Sequence, residues 1–225
     1  MRYQNGTHIN LINKDYIMAQ VKGGIGSFLS GKLDGVVYVQ LNGTTHTRQA
    51  PTRTKDSWTP KMLLNQQRFG LVNAFCKQFK STVIPQIWNI AAEKMSGYAL
   101  FMKSNMSAFA KDGSLAYPKK IKFSTGKLLF PEEFKVQRQE ADSNTINVSW
   151  KYDVHLGGLR LKDELMVVLG TVDGKYSEIK ATGILRGKLN GSFELPEAFK
   201  EASYIYVFFN SQDQRDYSES ACFEI

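Results

Sequence analysis

The chain has 225 residues, 42% of them hydrophobic and 22% charged, a balance that suits a packed core and argues against a disordered chain. No apolar run reaches bilayer-spanning length, and Met1 to Asn10 lack a basic stretch followed by an apolar one, so the sequence reads as cytoplasmic. The net charge of +8 is uneven: Met1–Lys127 carry 18 Lys/Arg and 5 Asp/Glu, whereas Leu128–Ile225 carry 11 and 16.

In chain order, residues 1–17 show no period, and Met18 opens a segment that reads as a natural start. The first 17 residues are therefore expected to be an upstream extension or a disordered arm. Glycines at 23, 24, 26, 31 and 35 then permit tight turns. Val36–Leu41 is β-branched and aromatic, Asn42-Gly43 fits a two-residue turn with positive φ at both positions, and Thr44–Gln49 supplies the return strand. Pro51 ends it.

Thr59-Pro60 is a helix start, with a capping hydroxyl followed by a proline whose missing N–H costs nothing at the first helical position. Met62, Phe69, Val72, Cys76 and Phe79 recur at helical spacing as one apolar face. A shorter helix is expected over 86–95. A third is expected over 97–109, with Tyr98, Phe101, Met102, Asn105, Met106 and Phe109 as its stripe.

After a linker at Lys111–Pro118 the period changes to two. Strands are expected at 127–130, 134–140, 145–152, 164–171, 177–185, 192–195, 204–210 and 218–225. Ile146, Val148 and Trp150 alternate with polar neighbours, whereas 204–210 is apolar on both faces. The fold class is therefore α+β. Residues 18–117 form a basic hairpin and helical region, and 118–225 form an acidic sandwich of immunoglobulin or fibronectin type III kind, with Val148, Trp150, Val167 and Val207 in its core.

Chemistry-bearing motifs are sparse. Gly26 to Leu33 nearly spells a phosphate-binding loop, but Leu33 stands where a hydroxyl is needed and the segment leads into a hairpin, not a helix. His8, His46 and His155 are scattered, Cys76 and Cys222 are far apart and read as reduced, and there is no G-x-S-x-G elbow. Glu132-Glu133 and Asp163-Glu164 fall at strand ends, where solvated charge is the default. No cofactor, metal or catalytic residue is assigned.

One feature points to a contact surface. Lys32, Arg48, Arg53, Lys55, Trp58, Lys61 and Arg68 interleave cations with an aromatic ring across the hairpin and first helix. Such a face suits an acidic protein surface, self-association or a phosphate backbone. The bland reading is a solvated rim with Trp58 buried beside the helix start.

Ser30-Gly31-Lys32, Asn42-Gly43 with Arg48 and Pro51, Thr59-Pro60 and Gln67-Arg68-Phe69 resemble an uncharacterised family of Bacteroides-group bacteria. Asn105, Ser124-x-Gly126-x-Leu128, Trp150, Asp163-x-x-Met166-Val167-Val168 and Ser218-x-Ser220 are similar to it as well. The resemblance covers nearly everything after Met18. It implies that hairpin and sandwich form one recurring unit, and it lends no catalytic residue. The function expected is that of a non-enzymatic binding or structural protein. A nucleic-acid-associated protein is the alternative, and an enzyme with a spatially assembled carboxylate site is the weaker one.

Overall fold

The structure is a computed structural model and describes residues 19–21, 28–41, 43–52, 58–140, 143–153 and 157–225. The expected extension at 1–17 lies outside them. The chain divides into two compact units, Met1–Trp58 and Thr59–Ile225, so the expected boundary at 117/118 falls inside the second unit.

The first unit is an antiparallel sheet of β1 (Ala19–Val21), β2 (Gly31–Leu33), β3 (Val36–Leu41) and β4 (Thr44–Gln49), ordered β1-β4-β3-β2. The expected hairpin is present, with Leu41 paired to Thr44 and Gly43 at φ +75°. The conformation of Asn42 lies outside the described residues. A second two-residue turn joins β2 to β3 at Asp34-Gly35, with φ of +49° and +80°. Asp-Gly meets that demand as Asn-Gly does. Because Gly31–Leu33 is a strand, the loop-like glycine segment leads into no phosphate-cradling helix.

The second unit begins with α1 (Pro60–Lys77), whose first turn is capped by the Thr59 hydroxyl accepting from the Met62 N–H at 3.3 Å. The buried face is Val72, Phe75, Cys76 and Phe79. Phe69, expected on it, is 53% exposed and Met62 only half-buried, because the helix inserts into the core from Val72 onward. The second helix is irregular: a π-helical turn, Ile84–Trp88, runs into a single turn α2 (Asn89–Ala91). The third helix, α3 (Gly97–Asn105), is capped by the Ser96 hydroxyl and tightens into a 3₁₀ turn over Met106–Ala108. Gly97 is required where it stands, since a Cβ there would lie 2.3 Å from the Asn89 side chain and 2.6 Å from its backbone N.

Seven of the eight expected strands form: β5 (Lys135–Arg138), β6 (Thr145–Ser149), β7 (Glu164–Gly170), β8 (Lys180–Leu185), β9 (Asn190–Glu194), β10 (Tyr204–Asn210) and β11 (Ala221–Glu224). Residues 127–130 make only an isolated bridge, Leu128 to Ser218. Two antiparallel sheets result, β11-β10-β7-β8 and β5-β6-β9.

The two-faced pattern of β10 now has its cause. Ile205, Val207 and Phe209 join Leu165, Val167, Leu169, Ile146, Val148, Trp150 and Phe193 in a core between the sheets. Tyr206 and Phe208 join Val168, Phe75, Phe79, Trp88, Phe101 and Phe123 in a second core beneath the helices. The four-stranded sheet is thus the middle of three layers, covered on both faces. The four residues expected in the sandwich core, Val148, Trp150, Val167 and Val207, are all buried. Trp150 stacks on Phe134 at 5.3 Å between centroids, meets Phe209 edge-on at 5.4 Å, and donates its indole N–H to the Arg186 carbonyl at 3.1 Å.

Candidate interaction surface

Strand register decides which candidate cations share a face. Val37 lies opposite Lys32 on β2 and opposite Arg48 on β4, so all three project to the same side of the sheet. Two strand spacings put the Lys32 and Arg48 backbones about 10 Å apart. Val39, His46 and Gln20 form the next rung of that face, and Leu41 and Thr44 the one after. Lys32, Arg48, Val39 and Leu41 are exposed. Among the described residues neither Lys32 nor Arg48 enters an ion pair. Tyr38 is on the opposite side, in register with Gly31 and Thr47.

The other candidates have different fates. Arg53 and Lys55 lie outside the described residues. Trp58 is half-buried just before the Thr59 cap, and Lys61 is exposed on the first turn of α1. Arg68 is half-buried, and its guanidinium donates to the Met106 carbonyl at 2.8 Å and the Phe109 carbonyl at 3.0 Å. It ties α1 to the end of α3, so its charge serves the fold. Lys77, Lys80, Lys94 and Lys103 are exposed on the helical layer. From Thr59 to Lys127 the chain carries 11 Lys/Arg against 2 Asp/Glu, whereas the following β-rich segment is net negative. The charge asymmetry of the sequence therefore separates a basic helical layer from acidic β layers within the second unit.

Of the carboxylates, Glu132 and Glu133 are solvated as expected, with Glu133 paired to Lys151 at 3.0 Å. Asp163 is not. It is 1% exposed, because Arg186, itself 2% exposed, faces it at 3.7 Å and Arg160 at 3.8 Å. Burial pushes the Asp163 carboxyl above its ordinary value, against the pull of the two guanidiniums. The same burial pulls the Arg186 guanidinium down. Asp216, also on Arg160 at 3.2 Å, borders the same shallow cleft together with Ser211 and Asp213. Asp163 and Asp216 are thus committed to arginines, and Asp213 Oδ1 accepts from the Ser211 hydroxyl and the Arg215 N–H, an arrangement of structural contacts.

His46 is half-buried on the hairpin, and His8 and His155 lie outside the described residues. Cys76 and Cys222 are unpaired. Burial raises their thiols, to about 12 and about 11, which makes both poor nucleophiles. Among the described residues no group of three or more His, Cys, Asp or Glu could hold a metal ion, and no helix is long and apolar enough to cross a membrane.

Several residues that carry the family resemblance prove to touch one another. The Ser124 hydroxyl donates to the Ser218 carbonyl at 2.7 Å, and Ser220 Oγ accepts from the Phe123 N–H at 3.0 Å. A Cβ on Gly126 would lie 2.2 Å from the Tyr217 carbonyl oxygen. No family model, curated protein or solved structure matches the chain.

Proposed function

We propose that this is a non-enzymatic binding or structural protein, in which the three-layer body is a rigid platform and the basic side of the β1–β4 sheet is a contact surface. The observation that carries this reading is the Lys32–Val37–Arg48 rung: two exposed cations in register, flanked by the exposed apolar residues Val39 and Leu41. A face that mixes exposed charge with apolar area suits an acidic protein surface. The acidic surface closest to hand is the chain's own Leu128–Ile225 segment, with 16 Asp/Glu against 11 Lys/Arg, on a second copy. Contact of a basic patch with a different, acidic patch is heterologous association.

The nucleic-acid reading draws on the same cations and on the basic helical layer. It is second because, among the described strand residues, the rung face offers base stacking only the half-buried His46 imidazole, Tyr38 being on the other side. The carboxylate-enzyme reading is weaker still, given that Asp163 and Asp216 are both held by Arg160.

The platform reads as a sandwich of immunoglobulin or fibronectin type III kind. Its sheet orders, β5-β6-β9 and β8-β7-β10-β11, correspond to strands A-B-E and C′-C-F-G of such domains. The likeness to the uncharacterised Bacteroides-group family fits this picture, since Ser124, Gly126, Ser218 and Ser220 build the body itself. Two unpaired cysteines suit a reducing, cytoplasmic setting. The test is sedimentation velocity at low and at roughly 0.5 M salt, beside anisotropy with a labelled single-stranded oligonucleotide. Self-association that weakens with salt, without oligonucleotide binding, is expected. Salt-steep oligonucleotide binding by a monomer would put the second reading in its place.

A further inference from the structure

We draw no further inference here: the strongest candidate, the surface patch of exposed leucines Leu63, Leu64 and Leu71 along the N-terminal part of α1, is an unpartnered apolar helix face, and nothing in the structure shows what covers it.

Discussion

Arg186→Met tests the buried ion pair that joins the segment before β7 to the turn between β8 and β9. The guanidinium lies 3.7 Å from Asp163 Oδ2, donates to the Leu129 carbonyl, and sits 4.3 Å above the Phe209 ring. Methionine fills much of the same volume but leaves Asp163 buried, with only Arg160 nearby at 3.8 Å. Removing one partner of a buried pair costs about 3–5 kcal/mol, most of it the penalty on the charge left behind. That penalty depends on pH in a determined direction. The folded-state pKa of Asp163 is already raised by burial, and losing Arg186 raises it further. Below the ordinary carboxylate range both folded and unfolded states hold the proton and the penalty vanishes. As pH climbs from there through the raised folded value, the unfolded chain releases its proton first and stability falls. Urea unfolding at pH 5 and pH 8 should therefore show a larger loss at pH 8. The double variant Asp163→Asn, Arg186→Met should recover most of it, because Asp163 Oδ2 and Arg186 Nε are poorly satisfied even in the intact pair. A loss under about 1 kcal/mol at pH 8, or strict additivity in the double variant, would refute this reasoning.

Trp150→Ala should cost on the order of 3–5 kcal/mol in denaturant unfolding, from the loss of a ring packed against Phe134 and Phe209. Trp150→Phe should cost much less, since the Arg186 carbonyl that loses the indole N–H still accepts from the Leu189 N–H. Asn105→Ala should destabilise by roughly 2–3 kcal/mol, because the amide accepts from the Lys122 N–H at 2.7 Å and donates to the Lys122 and Phe101 carbonyls at 3.0 Å each. Gly43→Val should cost about 1–2 kcal/mol and weaken the hairpin, through the strain of a β-branched residue at φ +75°. Faster amide exchange at β3 and β4 would report it.

What could be read from the sequence was whatever local chemistry determines. Asn-Gly announced the hairpin, Thr-Pro announced α1, and period-two alternation located seven strands of the second unit. What required the third dimension was pairing between distant segments. Asn105 looked like one more position of an apolar stripe, but its amide is a staple to Lys122, 17 residues away. Asp163 looked like a solvated strand-end charge. Nothing near it in sequence revealed that Arg186 would be buried against it. The contiguity of the helices with the four-stranded sheet was signalled only by the two apolar faces of β10. That pattern demands a second covering layer but does not say which segment supplies it. On the contact surface, register brought Lys32 and Arg48 together, whereas Arg68, equally basic in sequence, turned inward to cap two carbonyls at the end of the third helix.

The most direct test of the contact surface is the charge reversal Lys32→Glu, Arg48→Glu, examined for self-association at low salt beside the parent protein. Both residues are exposed and outside any described ion pair, so the unfolding midpoint should hold within a degree or two while association is lost. An unchanged association constant in the reversed protein, with the fold intact, would contradict the account.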